Sequence, residues 1–244
     1  MVVALRLVSV ITFVLLWEWA ALVQISFNFP SPWATLTALV ALLGSGAILT
    51  ATATSLQSLL LGFGSAIVLG VPFGLLMGVV RPVGRVARVY LDLLIALPTA
   101  ALIPLVILSF GINILSSAVI VFVFSVPFVT MNAYGGVRDV RPRLVEMARA
   151  FDASGPQLFF RIVLPSALPM ILAGIRYALS RAFVGLIVAE LLRSPFGLGR
   201  LIMASRSMFE HDRMFATVLW TLLLAGFALA ALARLEGRLL RWRT

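Results

Sequence analysis

Cysteine and lysine are both missing from the 244 residues, histidine occurs once, and only 11% of positions are charged. Without cysteine there is no disulfide, no thiolate nucleophile and no thiolate metal site, so the chain carries no mark of its redox compartment. Without lysine there is no P-loop to grip a nucleotide phosphate and no Schiff-base amine. That excludes ATP hydrolysis through a Walker A motif in this chain. A Ser-His-Asp triad would have only His211 as its base. Paired carboxylates and a glycine-rich phosphate cradle are lacking too, so no catalytic residue is assigned. His211 stands between Glu210 and Asp212, and such adjacent residues in an exposed loop read as a solvated charge run rather than a metal site.

What the chain has in abundance is apolar sequence: 62% of residues are hydrophobic, and the mean hydropathy is +1.12. A soluble domain carries about 25% charged residues to face water, so a soluble globular fold is excluded. All 19 basic residues are arginine and the net charge is +10. On so apolar a chain that points to arginine at a membrane surface, not to nucleic acid.

A membrane-spanning helix needs roughly 20 largely apolar residues, and charges and breakers divide the chain accordingly. Val3 to Val23 reads as a retained first helix rather than a signal peptide, because no small-x-small cleavage site follows. The uncharged run from Trp19 to Val80 is broken at Pro30, Pro32 and Gly44-Ser45-Gly46. The piece from Trp33 to Leu43 is too short to cross and is expected to be interfacial, and a second span lies within Leu56 to Val80. Leu93 to Phe110, Ile114 to Ala133, Leu168 to Leu192 and Met214 to Ala233 complete about six spans in one domain, residues 1–244. With the N-terminus inside, 13 arginines fall in cytoplasmic segments, four outside (Arg193, Arg200, Arg206, Arg213) and two within the fifth span. By the positive-inside rule both termini are expected in the cytoplasm.

Gly62, Ala66, Gly70, Gly74 and Gly78 recur every fourth residue in the second span. Little hydrophobic drive exists between helices in lipid, and such stripes let two backbones approach closely. The stripe predicts a helix inside the bundle or at a dimer seam or gate, with Pro72 kinking it. The fifth span repeats the device with Gly174, Ala178, Ala182 and Gly185, and also holds Arg176, Arg181 and Glu190. Helical spacing places Arg181 on the small-residue face, pointing into the protein, and Arg176 and Glu190 near the opposite face. Intramembrane charges are costly and mark candidates for a substrate path. For Arg176 snorkelling to the interface is an equal reading, and for Arg181 structural pairing is. Glu190 must find its partner in another segment.

Arg138 to Pro165 is the most charged connection. It reads as two short helices: Arg141 to Ala150, a turn at Phe151-Asp152-Ala153, then a helix capped by Ser154, with Pro156 in its first turn and Gln157 completing a capping box. The elbow is expected to present Leu144, Val145, Ala148, Phe151, Leu158 and Phe159 beside Glu146 and Arg149, as a rigid peg for a partner's groove.

Glu146-Met147-Ala148-Arg149-Ala150-Phe151-Asp152, nine residues, then Ile162-Val163-Leu164-Pro165 resembles the EAA motif of ABC importer permeases, E-A-A-x3-G-x9-I-x-L-P. The resemblance extends to Phe29-Pro30-Ser31-Pro32, Leu97-Pro98, Ser109-Phe110-Gly111-Ile112, Gly174-Ile175-Arg176, Ala189-Glu190 and Gly197-Leu198-Gly199, which are similar to the nitrate/sulfonate/taurine/bicarbonate type. Met147 replaces an alanine of that motif and Asp152 its glycine. Glycine permits a positive φ there, and aspartate is among the few others that tolerate it.

The resemblance implies an all-α, type I ABC importer permease with a cytoplasmic coupling helix in a bacterial inner membrane. Glu146, Met147, Ala148, Arg149, Phe151, Asp152, Ser154 and Pro165 would contact separate ATP-binding subunits, which carry the ATP and magnesium; this chain binds no cofactor. It further implies a second permease chain, as a homodimer, and an extracytoplasmic solute-binding protein. The basic segment from Arg193 to Arg213 suits an anionic cargo, and equally contact with the binding protein or lipid headgroups. A secondary transporter would show inverted repeats, and a membrane enzyme would show clustered acids or histidines; neither pattern is found.

Overall fold

The computed structural model describes residues 2–23, 29–192 and 195–241, and every regular element among them is helical. In chain order these are α1 (Val2–Leu22), α2 (Pro32–Gly44), α3 (Ala47–Val79), α4 (Arg81–Ala96), a 3-10 turn (Thr99–Leu102), α5 (Ile103–Phe110), α6 (Ile114–Arg138), α7 (Pro142–Ala150), α8 (Gly155–Leu158), a π turn (Phe159–Val163), α9 (Leu164–Leu191), α10 (Gly197–Ser207) and α11 (His211–Leu239). Four are long and apolar enough to cross a membrane, α8 through α9 counting as one. A bent pair makes up to five, and the apolar run of α1 with described side chains, Leu7–Leu22, is shorter.

Two of these elements differ from the sequence expectation. Leu93 to Phe110 is no straight span: α4 and the Thr99–Phe110 helix meet at 92°. Leu97 is extended (φ −66°, ψ 139°), as a residue before proline must tend to be, and Pro98 cannot donate the hydrogen bond that would continue α4. α3 begins earlier than Leu56, at Ala47. The hydroxyls of its polar first turns are satisfied on the helix's own backbone: Thr52 Oγ1 donates to the Ile48 carbonyl (2.6 Å) and Thr54 Oγ1 to that of Thr50 (3.1 Å).

The chain divides into two compact units, Met1–Ser55 with Glu190–Leu224, and Leu56–Ala189 with Ala225–Thr244. In the first, Ser31 caps α2 by accepting from Ala34 N at 3.1 Å, and Gly46, at φ +73°, supplies the left-handed turn between α2 and α3. Trp17 Nε1 donates to the Pro30 carbonyl (2.9 Å). Its ring packs with Phe29 and Phe215. Trp220 Nε1 donates to Thr52 Oγ1 at 2.8 Å.

In the second unit α6 is the central helix, with Val121, Val129, Thr130 and Ala133 fully buried. The stripe of α3 lies against it: a Cβ on Gly70 would sit 3.0 Å from Thr130 Oγ1 and 3.2 Å from Val129 Cγ1, and Gly62, Gly74 and Gly78 face Val121, Ala133 and Val137. Ala66 is fully buried. α9 approaches α6 as closely, Gly174 against Asn132 and Gly185 against Phe124. The small residues of both stripes are therefore occupied by packing within the chain, with no dimer seam needed to account for them.

Candidate functional site

The elbow is closed by local hydrogen bonds. Pro142 starts α7 at a position whose missing N–H costs nothing. At the other end Ala153 N donates to the Ala148 carbonyl (3.0 Å) and Asp152 N to that of Arg149 (3.0 Å). This paired pattern, six-to-one enclosing five-to-two, requires a left-handed residue just past the helix, normally glycine. Asp152 fills that place at φ +54°. The next helix is anchored by Ser154 N donating to Gln157 Oε1 (2.9 Å), one arm of the capping box.

What the elbow presents differs in detail from the expectation. Phe151 is 82% exposed and Met147 51% exposed, and Glu146, Arg149, Asp152 and Ser154 are also exposed. Ala148 is buried, at 6%, so it is not part of the presented face; its carbonyl receives the closing bond from Ala153 N. Leu158, Phe159 and Pro165 are half-buried. Nor is the second helix of the elbow short: it continues from Gly155 through the π turn into α9, ending at Leu191. Pro165 and Pro169 both fall inside this run, and the five-residue π turn at Phe159–Val163 precedes them, so the prolines are absorbed without ending the helix. A cleft of about 520 Å³ lies beside the elbow, lined by Asp139, Arg141, Leu144, Ser166, Pro169 and Met170.

The three charged positions of α9 have three different fates. Arg176 Nη1 pairs with Glu236 Oε2 at 3.1 Å, a partner on α11 that helical spacing within α9 gave no means of finding. Glu190 is 1% exposed. Its carboxylate accepts from Ser55 Oγ (2.7 and 2.9 Å) and from Gly199 N (2.9 Å), while Ser55 Oγ accepts from Leu198 N (2.9 Å). Its partners do come from other segments, yet none is a cation: a hydroxyl and the first turn of α10 hold the carboxyl group. Gly197 and Gly199 leave room for it, since a side chain on either would collide with Glu190. Nothing near Ser55 in sequence signalled this role.

Arg181 is exposed rather than packed into the interior. Its Nη2 donates to Tyr177 Oη at 2.7 Å, and its guanidinium lies 5.2 Å from the Phe128 ring centroid and 5.3 Å from that of Tyr177. Tyr177, one turn earlier on α9, was within reach of sequence reasoning; Phe128 was not. Of the arginines in the segment from Arg193 to Arg213, Arg213 pairs with Glu210 (3.0 Å), Arg200 lines a cleft of about 400 Å³ with Thr50, Thr54 and Phe196, and Arg206 is exposed. Arg193 and Arg243, and the side chain of Arg6, lie outside the described residues.

A family described as "Binding-protein-dependent transport system inner membrane component" matches residues 70–241. An aliphatic sulfonates transport permease, SsuC, of Escherichia coli is 35% identical over 87% of this chain and 81% of its own length. The protein of the same description from Bacillus subtilis is 32% identical over 88% and 78%, and the taurine transport system permease TauC of Escherichia coli is 29% identical over 93% and 84%. Among solved structures, a chain of the inward-facing MetNI methionine ABC transporter superposes with a TM-score of 0.67 at 18% identity, over 79% of this chain and 95% of that one. A chain from an amino acid ABC transporter gives 0.65 at 17% identity. The extent of these matches and the all-helical, multi-pass architecture make one conclusion: the chain belongs to the binding-protein-dependent inner membrane component family, as the permease subunit of an ATP-driven ABC importer.

Proposed function

We propose that this permease is driven through its elbow by separate ATP-binding subunits and admits a small anionic or polar solute delivered by an extracytoplasmic binding protein. The carrying observation is a rigidly closed turn with Phe151 82% exposed at its tip, flanked by Glu146, Met147 and Arg149. Folding of the chain leaves that aromatic side chain in water, and burying it in a partner's groove would recover roughly 1.5–3 kcal/mol. Asp152 and Ser154 hold the turn that presents it, and Pro165 lies in the continuous helix, Gly155–Leu191, that would carry motion into the membrane.

On this reading both termini and the elbow are cytoplasmic, ATP and magnesium are held by the partner, and two copies of this chain form the pathway. The relatives named for sulfonates and taurine favour an anionic cargo, as do the exposed external arginines Arg200 and Arg206. The test is to purify the chain with its ATP-binding subunits in lipid and measure solute-stimulated ATP hydrolysis. A Glu146→Ala, Phe151→Ala pair is expected to abolish stimulation, at least tenfold, while leaving thermal unfolding of the permease unchanged. Wild-type stimulation in the double variant would overturn the coupling role of the elbow. Association with no ATPase, together with ion-driven uptake, would replace the whole reading by secondary transport.

A further inference from the structure

Arg181 has features that packing alone does not account for. It lies within a 28-residue apolar helix, yet no carboxylate pairs with it among the described residues, and its side chain is exposed. A guanidinium at such a depth is costly in lipid, so its open side must face water or protein. It borders a cavity of about 440 Å³ lined also by Pro98, Thr99, Phe124, Phe128 and Tyr177, within the range of small-molecule sites. The cavity exists because the chain breaks at Pro98, where the 3-10 turn and the 92° bend leave room that a straight helix would fill.

The chemistry of this cavity is selective. Phe128 and Tyr177 meet edge to face with centroids 5.1 Å apart, and both rings hold the guanidinium by cation–π contact. Tyr177 Oη takes one N–H at 2.7 Å, which leaves most of the five donors of a planar fork unspent. Around that fork the walls are apolar: Leu94, Ile95, Val184 and Val188. A bare inorganic anion would use the fork and leave the walls dry and unfilled.

We infer that the Arg181 cavity is a solute-binding station on the translocation path, taking a small organic anion whose oxyanion headgroup meets Arg181 and whose short hydrocarbon body lies against the apolar walls. This rests on the permease reading for its place on a path. The headgroup of an anionic lipid has the same chemistry as the free solute, so the experiment must separate the two.

The chain has no cysteine, which allows one to be placed in the cavity without background. Val184→Cys is one turn from Arg181 and half exposed, at 50%; Thr99→Cys is the second variant should the first not fold. In the assembled complex with its ATP-binding subunits, in nanodiscs of zwitterionic lipid, the cysteine is labelled with an anionic ethylsulfonate or a cationic ethyltrimethylammonium methanethiosulfonate. Rates are normalised to those with a small thiol in water and read from the mass of the intact permease chain. The expected result is an anion preference of about tenfold, ~1.4 kcal/mol, lost in Arg181→Gln, largely kept in Arg181→Lys, and reduced by excess ethanesulfonate only when Arg181 is present. Equal normalised rates, no labelling at either position, or preference unchanged by Arg181→Gln would overturn the inference. Protection by added phosphatidylglycerol but not by ethanesulfonate would overturn it in favour of a lipid site. Failure of the ATP-binding subunits to co-purify would count against the permease reading alone, since the labelling can still be read on the isolated permease.

Discussion

Glu190 and Arg181 are both ionisable, both on α9 and nine positions apart in sequence, but the surroundings of each treat the polar group differently. Around Glu190 a hydroxyl and a backbone N–H converge, two glycines make room, and the carboxylate is 1% exposed. Around Arg181 there are aromatic faces and one phenol, and the guanidinium remains open. Charge in an apolar medium is tolerable in either arrangement. Only the second leaves hydrogen-bonding capacity for a molecule that is not part of the chain. Burial and pairing thus separate a structural charge from a functional candidate where helical position, which sent Arg181 inward, did not.

The largest effect that tests this contrast is on stability. Glu190→Ala strands Ser55 Oγ and Gly199 N in a buried site, and two unmet polar groups cost on the order of 2–4 kcal/mol. Thermal unfolding of the solubilised permease should fall by several degrees, whereas Arg181→Gln should shift it by no more than about 0.5 kcal/mol. Equal losses in the two variants would erase the distinction. Next in size is the α3–α6 seam. Gly70→Val puts methyls where a Cβ alone already meets Thr130 Oγ1 at 3.0 Å, and overpacking of this kind costs roughly 1–3 kcal/mol. The same change at Gly64, which faces open space, should be near neutral, and a melting comparison of the pair reads the difference.

The elbow was legible in the sequence because its determinants are local. A Pro at the first position, Asp152 at the left-handed residue and Gln157 three after Ser154 all act within six residues, and the structure sets each bond there. Four of the six expected spans, in α3, α6, α9 and α11, were legible from hydropathy for the same reason, since lipid acts on every residue of a helix independently of its partners. Glu190's partner Ser55 lies 135 positions away, and Phe128 reaches Arg181 only through the packing of α6 on α9. No period or motif carries that information. The bend at Pro98 falls between these cases: the proline marked a weak point, but its 92° angle depends on what α5 packs against.

A smaller effect distinguishes Arg176 from Arg181. Arg176 is paired with Glu236 at 3.1 Å, but the two side chains are 48% and 17% exposed, and Glu236 Oε2 makes no aligned hydrogen bond. A partly exposed pair of this geometry contributes at most about 1 kcal/mol. Arg176→Gln should therefore lower stability by less than that in a chemical-denaturation series, and a double variant with Glu236→Gln should cost no more than the single one. Additive losses would mean the two side chains are stabilised by separate neighbours.

The smallest effect has the opposite sign. Asp152 is held at φ +54° with its backbone N–H bonded to Arg149 and its neighbour Ala153 bonded to Ala148, so the turn tolerates aspartate without being optimal for it. An L-residue in the left-handed region costs about 1 kcal/mol relative to glycine, partly offset because glycine loses more freedom on folding. Asp152→Gly should then stabilise the elbow by roughly 0.5 kcal/mol, read as slower amide exchange at Ala153 with exchange inside α7 unchanged. Asp152→Val, with a branched Cβ at the same φ, should speed that exchange. If glycine speeds it as well, the aspartate side chain contributes an interaction of its own in the turn. Its negative charge, rather than its tolerance of the backbone, would then explain why aspartate stands where the EAA motif has glycine.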